Sequence, residues 1–223
     1  LKPHLADAAI DRLRTSTKID GISSAQIVIE AVAERLDIKQ QVLQQVAAQV
    51  DDKCIIATNT SSLSVSKIAE GLPNPERVVG MHFFNPVRKM PLVEVIRGEY
   101  TSEETIIETA ALAARMGKTP VIVKDVAGFL VNRLLGPYLD EAMRLFVNGV
   151  SPSRIDKLML KFGMPMGPLR LLDEVGLDIA MHASESLEQA YGARMTPCPG
   201  ISALASDKRL GIKTKRGFYD HSG

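Results

Sequence analysis

The first 125 residues alternate between short apolar runs and longer amphipathic stretches, and this alternation constrains the fold more than any other feature of the sequence. The apolar runs have the length of buried strands and cover residues 25–32, 54–58, 78–84, 92–96 and 120–124. Residues 33–50 and 101–116 lie between such runs and carry apolar side chains at the spacing of helices. Strands that alternate with helices predict an open α/β sheet with parallel pairing, and the closely spaced last runs predict antiparallel strands at its later edge.

The pattern changes after Asp125, beyond which no strand-like run appears. Residues 128–147 form a long helical stretch with Gly136-Pro137 as the expected kink, and residues 168–190 are predicted to form one further helix. Another helix is predicted to begin at Ser151-Pro152. We therefore predict two domains, an α/β domain over residues 1–125 and an all-α domain over residues 126–223.

Composition and charge exclude several classes of function. A net charge of +1, without a basic block that contains aromatic residues, argues against nucleic-acid binding. No apolar segment approaches the roughly 20 residues of a membrane span. The histidines and acidic residues lack metal-ligand spacing, so we predict no metal. Cys54 and Cys198 are far apart and are predicted to be reduced thiols in a reducing compartment.

A histidine and a glutamate in neighbouring predicted strands are the strongest candidates for chemistry. His82 lies near the end of one apolar run and Glu94 in the middle of the next. Because a buried charge without a partner is costly, we expect the two to pair. A carboxylate that accepts from one ring nitrogen fixes the tautomer and leaves the other nitrogen as a base near neutral pH. On spacing alone, a structural ion pair and a catalytic dyad fit equally well.

Further polar residues lie where ligands bind in open α/β sheets, at the carboxyl ends of strands. Asn59 and Ser61 follow the second run, either as loop and cap residues or as ligand contacts. Glu30 and Glu34 follow the first run, and local patterns favour a solvent-facing edge residue and a helix-start charge. Asn132 lies in an apolar helical segment and must satisfy several hydrogen-bonding groups, either across the domain boundary or with a ligand.

Together these motifs resemble one family, the NAD-dependent L-3-hydroxyacyl-CoA dehydrogenases of fatty-acid β-oxidation. The matching stretches follow the family order and span nearly the whole chain: IVIEAV (27–32), ATNTSSL (57–63), GMHFFNP (80–86), PLVEVI (91–96), GKTPVIVKDVAGFLVNRLL (117–135), MPMGPLRLLDEVGLD (164–178) and KTKRGFY (213–219). The resemblance implies a partial Rossmann-type dinucleotide-binding domain over residues 1–125, followed by the family's helical C-terminal domain over residues 126–223.

The resemblance also implies roles for individual residues. His82 would be the general base that removes the proton of the substrate's 3-hydroxyl group, and Glu94 would orient it. Ser61 and Asn132 would hydrogen-bond the reacting oxygen of a 3-hydroxyacyl-CoA. The residues that match NAD contacts in the family are Val32, Ala33, Glu34, Lys39, Ser61, Asn85 and Lys213.

The same resemblance bears on partners. The stretch FGMPMGPLRLLDEVGLD (162–178) looks most like the dehydrogenase part of multifunctional β-oxidation proteins, where it is fused to an enoyl-CoA hydratase. Single-function relatives dimerise through the helical domain, and this chain is consistent with either arrangement. Localisation is left open: the cytoplasm in a bacterium, or a mitochondrion or peroxisome in a eukaryote.

One family motif has no match in these residues. The family opens with a glycine-rich GxGxxG turn that holds the dinucleotide pyrophosphate, and this sequence, which starts at Leu1, contains none. We therefore expect the 223 residues alone to bind NAD poorly. The alternative to an active dehydrogenase is a catalytically incompetent fragment that serves as a dimerisation or domain-packing module.

Overall fold

The computed structural model describes residues 8–222 and has a five-stranded sheet in the order β1-β2-β3-β4-β5. The strands are β1 Ile27–Glu30, β2 Ile55–Thr58, β3 Val78–Phe83, β4 Leu92–Arg97 and β5 Thr119–Lys124. β1 pairs with β2 and β2 pairs with β3, both in parallel, whereas β3 and β4 are antiparallel. The predicted α/β fold, with parallel strands first and an antiparallel pair after them, is confirmed.

Three α-helices accompany the sheet within the described residues: α1 Leu36–Ala47, α2 Val65–Ala69 and α3 Glu103–Arg115. A short 3₁₀ helix, Pro75–Arg77, precedes β3. The Ser102 hydroxyl caps α3 by accepting from the Thr105 N–H at 3.1 Å, and Glu103 and Glu104 lie in its first turn, where the helix dipole favours negative charge. The chain leaves α3 through Gly117 at a φ of 74°, a conformation that glycine adopts without strain.

Apolar side chains of the strands and of α3 form the core around this sheet. Ile55, Ala57, Val79, Met81, Val93, Val95, Ile106 and Ala113 are all buried in one cluster. β2 is buried along its whole length, as expected for a central parallel strand. The sheet therefore gives a rigid support to the side chains at its ends.

The remaining helices are α4 Val131–Val147, α5 Pro152–Phe162, α6 Pro168–Val175, α7 Leu177–Tyr191 and α8 Gly200–Ser206. The prediction of one helix over residues 168–190 is wrong, because Gly176 separates α6 from α7 at a φ of 99°, outside the helical range. Two further 3₁₀ helices are Gly192–Met195 and Ile212–Thr214. No helix within residues 8–222 has the length and apolar character needed to cross a bilayer.

The three-to-four spacing of Leu5, Ala8, Ala9, Arg12 and Leu13 predicts a helix over residues 1 to about 17, of which residues 1–7 lie outside the described residues. Residues 8–10 are helical and residues 11–12 form a turn, so the helix ends earlier than predicted. The last hydrogen bonds of this helix span three residues instead of four. They run from the Arg12 N–H to the Ala9 carbonyl and from the Leu13 N–H to the Ile10 carbonyl.

By contacts the chain forms two compact units. The first, here called the sheet unit, comprises Leu1–Thr60 and Val65–Ile122. The second, the helical unit, comprises Ser61–Ser64 and Val123–Gly223. The helical unit has its own core, which includes Met143, Leu169, Leu172, Leu177 and Phe218.

Candidate active site

His82 and Glu94 face each other across the antiparallel pair of β3 and β4 in the sheet unit. The register places the two residues directly opposite. Their side chains meet with 2.8 Å between His82 Nδ1 and Glu94 Oε2, and the Glu94 side chain has no exposed surface. The structure thus brings together the two residues whose pairing the sequence predicts.

The contact fixes the chemistry of the histidine ring. An ionised carboxylate can only accept, so the proton between the two groups belongs to His82 Nδ1. In that tautomer the lone pair of Nε2 is the one that can take up a proton. The His82 ring also packs against the Phe84 ring, with 4.5 Å between their centroids. A buried imidazole oriented by a carboxylate has the arrangement of a general base.

A second buried pair lies at the carboxyl ends of β1 and β2. Lys39 Nζ, on α1, is 2.9 Å from Glu30 Oε1, and neither side chain is more than 1% exposed. Glu30 Oε2 accepts from the Thr58 hydroxyl at 2.6 Å, and Glu30 Oε1 accepts from the Val32 N–H at 2.6 Å. The expectation that Glu30 is a solvent-facing edge residue is wrong, because the lysine of α1 makes a buried carboxylate tolerable there.

Residues that match NAD contacts lie at this same edge of the sheet unit. Val32 and Ala33 follow β1, and both are exposed. The Glu34 side chain is 36% exposed and lies 3.4 Å from Lys39 Nζ. Asn85 is exposed and follows β3, which runs parallel to β1 and β2. Because dinucleotides bind outside the carboxyl ends of parallel strands, these four positions fit NAD. Lys39 differs, since it is fully buried and bonded to Glu30.

Ser61 and Asn132 are brought together within the helical unit. Asn132 lies in α4, and its Nδ2 donates to the Ser61 carbonyl at 3.2 Å. The Ser64 hydroxyl donates to Asp125 Oδ2 at 2.8 Å. The segment 61–64 is therefore held by side chains that come from both ends of the link between β5 and α4.

Lys213, the remaining predicted cofactor contact, lies in the 3₁₀ helix Ile212–Thr214 of the helical unit. Its ammonium group forms an ion pair with Asp178 in the first turn of α7. This hydrogen bond lowers the pKa of the Asp178 carboxyl group below its ordinary value. The Lys213 side chain remains 41% exposed.

Sequence reasoning missed two buried carboxylates that organise the helical unit. Asp156 on α5 accepts from the Leu169 and Arg170 N–H groups of α6, each at 2.9 Å, and from the Tyr219 hydroxyl at 2.7 Å. Asp173 on α6 accepts from the Phe218 N–H at 2.9 Å. Their only sequence signal is an acidic residue within an apolar helix face. Among residues 8–222 no cluster of three or more His, Cys, Asp or Glu side chains could hold a metal ion.

Comparison with known proteins identifies the family of this chain. Residues 1–126 match the family model described as "3-hydroxyacyl-CoA dehydrogenase, NAD binding domain", and residues 128–221 match the model of the "3-hydroxyacyl-CoA dehydrogenase, C-terminal domain". The chain is 45% identical to a fatty acid oxidation complex subunit alpha of Shewanella halifaxensis and 47% identical to one of Psychrobacter arcticus. These matches cover 100% and 99% of this chain but only 32% and 31% of the two relatives.

Solved structures give the same result. A (S)-3-hydroxybutyryl-CoA dehydrogenase from Ralstonia eutropha is 39% identical with a TM-score of 0.96, and the match covers all of this chain and 80% of that one. A 3-hydroxybutyryl-CoA dehydrogenase from Escherichia coli is 37% identical with a TM-score of 0.95, over 100% of this chain and 48% of that one. The chain therefore belongs to the 3-hydroxyacyl-CoA dehydrogenase family.

Proposed function

We propose that this chain oxidises L-3-hydroxyacyl-CoA to 3-oxoacyl-CoA with NAD as the hydride acceptor, as part of fatty-acid β-oxidation. One observation carries the proposal above the others. A buried histidine and a buried carboxylate, His82 and Glu94, meet at 2.8 Å in a sheet whose parallel strands β1 and β3 are followed by the positions that match NAD contacts. Oxidation of a secondary alcohol needs a base on the oxygen and an acceptor held against the carbon, and little else.

The proton moves to the histidine. His82 Nε2 takes the proton of the 3-hydroxyl group as the electron pair of that O–H bond forms the new carbonyl and hydride leaves C3. Glu94 keeps the proton on Nδ1 and stabilises the imidazolium that results. Its negative charge is 2.8 Å from the ring, and its side chain has no surface exposed to solvent. NAD, when bound, supplies the acceptor for the hydride.

The other proposed roles concern binding. Ser61 and Asn132 hydrogen-bond the reacting oxygen of the substrate, and the bond from Asn132 to the Ser61 carbonyl supports a common function of the two residues. The residues proposed to hold the nicotinamide and ribose end of NAD are Val32, Ala33, Glu34, Lys39, Ser61, Asn85 and Lys213. Of these, Lys39 acts through Glu30, since its ammonium group is fully buried.

We also propose that the chain works as the dehydrogenase part of a multifunctional β-oxidation protein, in company with an enoyl-CoA hydratase. The support is that it spans about a third of the length of relatives named as fatty acid oxidation complex subunit alpha. A homodimer through the helical unit is the alternative arrangement. Sedimentation of the intact protein distinguishes the two.

The test of the function is His82→Gln in the intact protein. We expect turnover of a 3-oxoacyl-CoA with NADH to fall by about 10²–10⁴-fold, because the residue that takes the proton in the oxidation and returns it in this reverse reaction is removed. Turnover is measured from the decrease in NADH absorbance. NADH binding, measured by calorimetry, should change little, since no proposed cofactor contact is altered.

His182→Gln is the matched control. His182 is an exposed histidine on α7 without a proposed role, so this variant should keep the turnover of the wild type. If His82→Gln also retained near-normal turnover, His82 would have no part in the mechanism and the proposed function would lose its main support.

A further inference from the structure

Asn59 is a half-buried residue that joins three elements of the sheet unit. Its N–H donates to the Glu30 carbonyl at the end of β1 at 2.8 Å. Its carbonyl accepts from Lys39 Nζ of α1 at 3.4 Å. Its side-chain Oδ1 accepts from the Phe83 N–H at the end of β3 at 3.0 Å. None of the roles proposed above belongs to this residue.

The bond to Phe83 acts on the part of β3 that carries the proposed base. The pairing of β2 with β3 ends at Thr58 and Gly80, before the strand reaches His82. On its other side β3 stays paired with β4 as far as Phe83. Beyond this point β2 offers no backbone carbonyl to β3. The side-chain oxygen of Asn59, Oδ1, therefore accepts the hydrogen bond from the Phe83 N–H in its place.

The buried ion pair fixes Asn59 in turn. Lys39 has no exposed surface and bonds both Glu30 and the Asn59 carbonyl. Because a buried charge without partners is costly, the Lys39 ammonium group is held against its oxygen partners, which include the Asn59 carbonyl. Asn59, which directly follows β2, is thus bonded to β1 and α1 through its backbone and to β3 through its side chain.

We propose that Asn59 is a positioning residue for His82: it holds the end of β3, and with it the imidazole, where the substrate proton must be taken. The inference rests on the function proposed above and adds a residue to it. Because misplacement of a reacting group by about 1 Å can cost roughly 10²-fold in rate, one backbone hydrogen bond can control turnover without touching a ligand.

Asn59→Ala and Asn59→Asp, compared in the intact protein, test the proposal. Asn59→Ala removes the acceptor, and we expect kcat to fall by about 10–10²-fold, with KM for NADH and for the 3-oxoacyl-CoA changed less than about threefold. Asn59→Asp keeps an oxygen at the Oδ1 position and should restore most of kcat. Amide hydrogen exchange at Phe83 should be faster in Asn59→Ala and close to wild type in Asn59→Asp.

Asn74→Ala is the control, because Asn74 also uses its side-chain amide, donating to Asp52 at 3.0 Å, but on an exposed loop. A rise in KM with unchanged kcat in Asn59→Ala, or wild-type values throughout, would overturn the positioning role. If Asn59→Ala does not fold, Asn59→Ser takes its place: the hydroxyl oxygen is one bond nearer the backbone and cannot reach the Phe83 N–H, so the same drop in kcat is expected. An inactive wild-type protein would instead refute the proposed function, and Phe83 exchange would still report the bond.

Discussion

Glu94 is the residue whose burial demands the most explanation. Its side chain has no exposed surface and lies in the middle of β4, between buried valines. Removing a carboxylate from water costs several kcal/mol unless hydrogen bonds and a nearby charge offset the loss. The contact with His82 Nδ1 becomes an ion pair when the ring takes up a proton. The carboxylate is thus best compensated in the state that the proposed reaction produces.

Glu94→Gln tests whether the negative charge of Glu94 stabilises the protonated His82. The amide oxygen can still accept from Nδ1, but the charge that stabilises the imidazolium is lost, so turnover should fall on the order of 10²-fold. The double variant with His82→Gln should be no slower than His82→Gln alone, because residues that act as a unit give non-additive losses. Steady-state kinetics of the three variants measure this, with exposed Glu99→Gln as control. Losses that multiply would contradict the dyad.

Residue types and spacing predicted that His82 and Glu94 pair, and the antiparallel register of β3 and β4 places the two residues directly opposite each other. The same reasoning failed for Glu30, whose partner Lys39 comes from α1. Local patterns describe the surroundings of a residue along the chain, whereas its burial depends on which element packs over it. The sequence predicts Asn59 as either a loop residue or a ligand contact at the end of a strand, but its bond to Phe83 follows only from the structure.

The positions of the strands and of most helices could be predicted from the sequence, but the break at Gly176 could not. Leu169, Leu172 and Leu177 keep an apolar pattern across this glycine, and all three are buried. Periodicity therefore predicts one helix, while the chain turns between α6 and α7. The turn leaves Asp173, near the end of α6, to accept from the N–H groups of Phe218 and Tyr219 at 2.9 and 3.0 Å.

Alanine substitutions at two glycines distinguish the cost of backbone strain from the cost of a collision with Asp173. Gly211 and Gly192 have φ/ψ values of 91°/−149° and 61°/−143°, so alanine should be strained comparably at both, by about 1–3 kcal/mol. A Cβ at Gly211 would collide with the backbone carbonyl of Asp173, whereas at Gly192 nothing lies within 4 Å. We expect Gly211→Ala to lower the free energy of unfolding by about 1–3 kcal/mol more than Gly192→Ala. Thermal melts measure the difference, and equal losses would mean that the segment moves freely away from α6.

Both units of the molecule contain weak acids whose pKa the fold raises above the ordinary value. Burial raises the pKa of the Cys54 thiol above its ordinary value of 9.0 in the sheet unit. In the helical unit, burial raises the pKa of Tyr138 and of Tyr219 above 10.0, and the negative charge of Asp156 adds to the effect. Above pH 9 to 10 the unfolded chain therefore loses protons that the folded protein retains. Since the unfolded state then binds fewer protons, stability falls as the pH rises.

Tyr138→Phe isolates one contribution to this alkaline loss. The Tyr138 hydroxyl is buried and has no hydrogen-bond partner among the described residues, so its removal should raise the free energy of unfolding by about 1 kcal/mol at pH 7. Near pH 10.5 the variant should be about 0.5–1 kcal/mol more stable relative to wild type than at pH 7, because one raised pKa is gone.

At pH 7, Tyr219→Phe should be about 1 kcal/mol less stable than wild type, because Asp156 loses the hydroxyl that donates to it at 2.7 Å. At alkaline pH its free energy of unfolding should rise relative to wild type, as for Tyr138→Phe. Tyr100→Phe, at a tyrosine that is 45% exposed, is the control and should follow wild type at both pH values. Urea denaturation at the two pH values measures all four proteins. Parallel loss of stability in wild type and both tyrosine variants would show that the two tyrosines ionise alike in the folded and unfolded states, and would contradict this prediction.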